Sequence, residues 1–127
     1  MAKRSCPCGL STPYDECCGR LHRGQAEAVT AEQLMRSRYS AYARGEAAYL
    51  LTTWHPRTRP ATVDFERGLR WDRLEIVATD GGSPIHTEGV VEFRAHFSRA
   101  GRTGHMHEVS RFVRDNGAWV YLDAAPT

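Results

Sequence analysis

All four cysteines of this 127-residue chain fall within thirteen residues, Cys6-Pro7-Cys8-Gly9-Leu10-Ser11-Thr12-Pro13-Tyr14-Asp15-Glu16-Cys17-Cys18. A segment that short cannot bury a core of its own, so something must cross-link it if it is to fold. Two disulfides packed into so few residues would be sterically tight, and a reducing cytoplasm would disfavour them. Zinc fits better, because it takes four thiolates in a closed tetrahedron. The C-x-C-x8-C-C spacing supplies Cys6 with Cys8 and Cys17 with Cys18 as two close pairs joined by a loop. Gly9 lets the backbone turn beside the sulfurs, Pro13 can open a short helix capped by Thr12, and Cys17 and Cys18 are expected near its end. Three other readings stay open: iron on the same four ligands, a catalytic thiol pair, and a redox switch in which oxidation of the vicinal Cys17 and Cys18 releases the ion. No C-x-x-C redox motif is present. His22, four residues beyond Cys18, could replace one sulfur and is read instead as a neighbour of the site.

Charge adds to this division of the chain. Lys3, Arg4, Arg20 and Arg23 outweigh Asp15 and Glu16, and this excess accounts for the whole formal charge of +2; the other 103 residues carry thirteen basic and thirteen acidic side chains. The main domain therefore presents no net field to a nucleic acid, and such a partner is expected only within a ribosome. No apolar run approaches the ~18 residues of a membrane span, and Met1 to Cys6 is followed by no apolar signal segment, so a soluble cytoplasmic protein is expected. At 127 residues the chain suits one ordinary domain with an appendage: residues 1–24 as the cysteine knuckle and 25–127 as the main domain.

Within the main domain, Thr30-Ala31-Glu32-Gln33 reads as a capping box, opening a helix that runs to Gly45. Leu34, Met35, Arg38, Tyr39, Ala41 and Tyr42 form one broad stripe on it at helical spacing. A second helix is predicted from Glu46 to Trp54 and ends at His55-Pro56. A loop over 56–68 follows, with a short helix at Val63 to Arg67. From Trp71 the period becomes two. Leu74, Ile76 and Ala78 alternate with Arg73, Glu75, Val77 and Thr79 up to the turn Asp80-Gly81-Gly82-Ser83; Thr87, Gly89, Val91, Phe93, Ala95 and Phe97 form one face of a long second strand. A third strand is predicted over 105–114 after the turn Gly101 to Gly104, and Asn116-Gly117 leads into a fourth. Helices followed by a four-stranded antiparallel meander make an α+β roll with a curved sheet covered on one face.

The motifs also carry a resemblance. Cys6-Pro7-Cys8-Gly9 with Cys17-Cys18 eight residues on is similar to the SEC-C motif, the zinc-binding tail of the SecA translocase. Leu34-Met35-Arg36-Ser37-Arg38-Tyr39, Thr53-Trp54-His55-Pro56, Ser110-Arg111-Phe112 and Asn116-Gly117-x-Trp119-x-Tyr121-x-Asp123 resemble the bacterial YchJ family of uncharacterised proteins. The resemblance covers nearly the whole chain. It implies zinc at the cysteines, contacts with proteins such as the SecB chaperone or with ribosomes, and a cone-shaped fold like that of nuclear transport factor two and ketosteroid isomerase. Some relatives carry a second SEC-C motif at the C-terminus, where this sequence reads Ala125-Pro126-Thr127.

The cone fold serves enzymes, ligand binders and interaction modules alike, so chemistry must be argued from side chains. If Met106, Glu108, Ser110 and Phe112 face inward, Glu108 could act as a general base in a pocket with Ser110, Tyr39, Tyr42 and His55. The plainer expectation is that Glu108 pairs with Arg36 or Arg38 and that His55 bonds at a helix end. Trp54, Trp71 and Trp119 read as core or rim aromatics. His96, His105 and His107 share the outer face, but the sequence supplies no further ligand and they are read as solvent-facing. The leading function is an interaction protein whose knuckle, with Arg20, His22 and Arg23, meets a protein or ribosomal partner. A small-molecule binder or enzyme using the cone is the alternative.

Overall fold

The computed structural model describes residues 5–125; Lys3 and Arg4 of the basic start, and Pro126-Thr127, lie outside the described residues. The knuckle comprises a 3-10 turn at Tyr14–Glu16 and helix α1, Cys18–His22. Helices α2 (Ala31–Arg44) and α3 (Ala47–Thr52) follow, then strands β1 (Leu69–Gly81), β2 (Glu88–Arg99), β3 (Arg102–Asp115) and β4 (Ala118–Ala124). The strands pair antiparallel in the order β1-β2-β3-β4, as the meander reading requires.

Helix α2 starts and stops where its sequence dictates. The Thr30 side chain accepts from the Gln33 backbone N–H at 3.0 Å, and Gln33 Oε1 reaches back to Val29 N, one residue earlier than a standard capping box. Gly45 ends the helix in the left-handed conformation at φ 76°. The second helix is shorter than expected, Ala47–Thr52, because Thr53-Trp54-His55 leaves it to lie along β4. Tyr121 N–H donates to Thr53 O and His55 N–H donates to Tyr121 O, both at 2.8 Å. The short helix expected at Val63 to Arg67 does not form; this segment is irregular. Among the described residues no helix is long and apolar enough to cross a membrane.

Inside the sheet, Val91, Phe93, Ala95, Phe112 and Trp119 meet Leu34, Met35 and Tyr39 of α2 in one core. The inward face of β2 is the one its alternation predicts. Strand β1 departs from its predicted alternation. Its register shifts between Trp71 and Arg73 and again between Ile76 and Ala78, so Thr79, not Ala78, comes to lie opposite the buried Val91. Each extra residue moves every later side chain to the opposite face. The β2–β3 connection is also tighter than expected. Ala100 and Gly101, at φ 51° and 77°, make a two-residue turn, β3 begins at Arg102, and Gly104 lies within the strand under the Phe97 ring.

Two backbone positions generate tests. Gly82 and Gly89 press together against the first turn of α2, where Ala31 N–H donates to Gly82 O at 2.9 Å. A Cβ on Gly89 would stand 2.6 Å from Gly82 Cα and 2.9 Å from Ala31 Cβ, so Gly89→Ala should cost about 1–3 kcal/mol in a urea titration. Ala100 holds a left-handed conformation that suits Asn better, and Ala100→Asn should raise stability by about 0.5–1 kcal/mol in the same assay.

Candidate metal centre

Two short backbone contacts shape the first half of the knuckle. Cys6 N–H donates to Thr12 O at 2.9 Å, so Thr12 serves through its carbonyl and not as a side-chain cap. Gly9 N–H closes a turn onto Cys6 O at 3.2 Å, with Gly9 at φ 98°. This loop carries Cys6 and Cys8. Cys17 caps the end of the 3-10 turn, where the sequence reading expects it, whereas Cys18 is not near that end but is the first residue of α1. The reason is the backbone at Cys17 (φ −119°, ψ −113°), which breaks the two turns apart and aims consecutive cysteines into one space.

The four Sγ atoms lie within 4.8 Å of one another, a group that could hold a metal ion. All four are free thiols; Cys6, Cys8 and Cys18 are 3%, 0% and 4% exposed, and Cys17 is half-buried. Cys8 Sγ and Cys17 Sγ are 3.7 Å apart. A tetrahedral ion with metal–sulfur bonds of ~2.3 Å needs sulfur–sulfur edges of ~3.8 Å, so this donor set fits the ion. Electrostatics point the same way. Hydrogen bonds from Cys18 and Cys8 hold the Cys6 thiol far below its usual range, whereas hydrogen bonds with Cys6 and Cys8, with burial, push the Cys18 thiol far up. Four thiolates this close would repel one another, and a bound cation would make them compatible.

His22 is not a ligand. Its Nδ1 is 2.6 Å from Tyr14 Oη and its Nε2 is 2.9 Å from Ser37 O, so both ring nitrogens are occupied in joining the knuckle to α2. Its ring also packs at 4.6 Å on Tyr49. This corrects its reading as a partner-facing residue. Arg23 is turned to Asp15 and Gln25, and Arg20 bonds the Glu16 carbonyl while staying exposed.

Sequence reasoning misses how the knuckle is seated. Arg36 Nη1 donates to Cys8 O at 2.7 Å and its Nε pairs with Glu32; Ser40 Oγ lies 3.6 Å from Cys6 Sγ; Arg44 covers the Tyr14 ring at 3.7 Å. The signal available was a polar face, Arg36, Ser37, Ser40 and Arg44, at helical spacing opposite the apolar stripe. Read alone, such a face looks solvated.

The cone's interior differs from the expected ion pair. Glu108 and Ser110 do face inward, but Glu108 accepts from Ser110 Oγ and from Tyr121 Oη at 3.1 Å, and no Arg36 or Arg38 pair to it is found among the described residues. Arg36 is committed to the knuckle. Arg38 donates from Nη1 to Leu50 O and Thr53 Oγ1 and lies 4.9 Å from the ring centroids of both Trp54 and Tyr121. Of the five candidate pocket residues, a direct hydrogen bond joins only Glu108 and Ser110. Tyr39 packs edge-on against Trp71 and Tyr42 against Phe65, and His55, three residues past the end of α3, accepts at Nδ1 from Arg57 N–H in the turn that follows and not at a helix end.

The family described as YchJ, middle NTF2-like domain, matches residues 30–124. The UPF0225 protein of Streptomyces coelicolor is 58% identical over 123 residues, covering 97% of this chain and 96% of the relative. That of Corynebacterium glutamicum is 48% identical over 121 residues, covering 95% of each. The solution structure of a SEC-C motif containing protein from Rhodopseudomonas palustris superposes with a TM-score of 0.82 at 30% identity, covering 97% of this chain and 98% of that one. A crystal structure of a SEC-C motif containing protein from Psychrobacter arcticus gives 0.76 at 29%, covering 97% and 84%.

If Arg36 seats the knuckle, Arg36→Ala should leave the sheet intact, cost about 1.5–3 kcal/mol for the lost charged hydrogen bond, and speed labelling of the cysteines of the metal-free protein by a thiol reagent.

Proposed function

Because the chain belongs to the YchJ-like UPF0225 family, whose solved neighbours are SEC-C motif proteins, we propose that residues 1–24 form a zinc knuckle that docks a protein or ribosomal partner in the cytoplasm. Cys6, Cys8, Cys17 and Cys18 are its ligands, and residues 25–127 are its rigid support. When bound, zinc supplies a cross-link and no bond chemistry, joining the Cys6–Cys8 loop to the start of α1.

One observation carries this reading. Cys17, the half-buried sulfur, borders a groove of about 350 Å³ walled on one side by Leu10, Glu16 and Arg20 of the knuckle and on the other by Glu32, Gln33 and Arg36 of α2. Leu10 stands 43% exposed at this groove, an apolar side chain between charges of both signs. A partner segment laid there would touch knuckle and helix together and would depend on the metal holding the first wall in place. Arg20 stays exposed at the groove with only its Nε given to the Glu16 carbonyl, and is the knuckle's candidate to meet it; Arg23 and His22 make internal contacts.

Elemental analysis should return one zinc per chain, and another metal or none would overturn the metal assignment. Co-sedimentation with purified ribosomes and cross-linked capture should then be compared for the zinc-loaded protein, the chelated protein and a Leu10→Asp, Arg20→Glu double variant that keeps its zinc. Loss of capture in the last two is expected. The same partners retained by all three would refute the docking role.

A further inference from the structure

Strand β4 is an edge strand, and only part of its outer edge is covered. Asn116 and Gly117, at φ 51° and 85°, close a two-residue turn, so Asp115 with Ala118 and Val113 with Val120 are the hydrogen-bonded pairs of β3 and β4. Trp119 and Tyr121 therefore turn their backbone N–H and C=O groups away from β3. At Tyr121 both groups are paired, with Thr53 O and His55 N–H. The chain before Thr53 turns into α3, and the next rung stays open: neither backbone group of Trp119 makes a hydrogen bond among the described residues. We propose that this rung binds an extended peptide segment of a partner protein, which adds a short strand to β4.

The space in front of the rung is a groove of about 380 Å³ between the α1–α2 linker, α3 and β4. It shares only Leu21 with the groove beside Cys17 and is a separate surface. Its floor is apolar, with Leu34 and Val120 buried, and Ala26, Ala28, Ala48 and Ala118 line it with nothing larger than a methyl group. Trp119 is 3% exposed, so water has little access to its unpaired N–H and C=O. A buried rung left open costs free energy that a pairing backbone recovers. Across the groove, Ala26, Glu27 and Ala28 lie outside any helix or strand, and their backbone groups also make no hydrogen bond among the described residues.

These features select an extended backbone over other occupants. A lipid chain would match the floor but leave the Trp119 groups unpaired, and a compact polar metabolite would pair them but leave the floor uncovered. A strand does both, because its main chain bonds to the edge while every second side chain faces the floor. The alanines leave room there for side chains the size of Ala to Val. Glu27 at the rim is exposed and has no ion-pair partner among the described residues, so charge complementarity favours a segment with Lys or Arg beside it.

The test uses the full zinc-loaded chain and the capped pentapeptide Lys-Val-Ala-Val-Ala, together with its reversed sequence to cover both strand directions. In the free protein the Trp119 amide should exchange with heavy water faster than that of Val120, which is paired within the sheet. At least one peptide should shift the backbone amides of Trp119, Ala26 and Ala28 saturably in NMR spectra, with Kd below ~1 mM, and slow the Trp119 exchange. Methylating the nitrogen of the peptide's central alanine should weaken binding ~3–10-fold. Glu27→Lys should weaken it ~2–5-fold. Ala48→Phe, which fills the groove from an exposed position on α3, should abolish it, with thermal melts confirming that each variant folds. The proposal is overturned by no saturable shift up to ~2 mM of either peptide, by undiminished binding of the methylated peptide, or by binding that survives Ala48→Phe. It is equally overturned by a Trp119 amide already protected in the free protein by a second copy of the chain, seen as a dimer in sedimentation.

Discussion

Helix α2 has almost no solvent face along its middle: Ser37, Arg38, Tyr39, Ser40 and Ala41 are buried in succession. An ordinary helix on a sheet would expose part of that run. Here Met35 and Tyr39 meet the sheet, the Tyr39 hydroxyl buried without a partner, while Ser37 and Ser40 meet the knuckle and α3 and each of these two hydroxyls finds a partner. Ser37 Oγ donates to Leu34 O at 2.8 Å and is 2.7 Å from Tyr49 Oη, and Ser40 Oγ approaches a cysteine sulfur. Small hydroxyls allow close approach and satisfy themselves against the helix's own carbonyls. Without the knuckle, the polar face of α2 would be bare, and without α2 the knuckle would lose Arg36, Ser37 and Ser40 as its seat.

Arg38 ties the opposite side of this helix into the cone. It is 4% exposed, and burial pushes its guanidinium down to about 10, still charged near neutral pH. Its stabilisation comes from a carbonyl, a hydroxyl and the faces of two aromatic rings, with no direct carboxylate contact. The planar guanidinium can do this and an ammonium cannot, because only the former both stacks and donates in plane. This sandwich joins α2, the end of α3 and β4 at the point where Thr53-Trp54-His55 runs beside Tyr121. Glu108 on β3 contributes at longer range, and its own bonds to Ser110 and Tyr121 belong to the packing of the sheet.

The elements with a strong local signal were legible in the sequence: the capped helix from Thr30 to Gly45, the alternation of β2, the Asn116-Gly117 turn and the clustered cysteines. What escaped depends on contacts between distant residues. Nothing local in Trp71 to Thr79 announces the bulges of β1, because they answer to the register of β2. The role of His22 requires Tyr14 on one side and Ser37 on the other. Arg36 looked like a partner for Glu108 because both lie on elements that pack together; its actual acceptor, the Cys8 carbonyl, is a backbone group with no sequence signature.

The same burial weighs the competing readings of the cysteines. A nucleophilic thiol needs a thiolate open to its substrate, and a redox sensor needs a sulfur open to its oxidant. Cys6, Cys8 and Cys18 are closed off by α2, by α1 and by one another, so only Cys17 offers either route. An oxidant reaching Cys17 would meet a neighbour in Cys18 whose sulfur is buried at the start of a helix, and pairing the two would require unwinding α1 and releasing Leu21 from the core side of the knuckle. A closed site with a single partly open sulfur, seated through a charged hydrogen bond on the central helix, is built to hold a surface in shape. Under the docking role proposed above, the surface it would hold in shape is the groove that the knuckle and α2 make together.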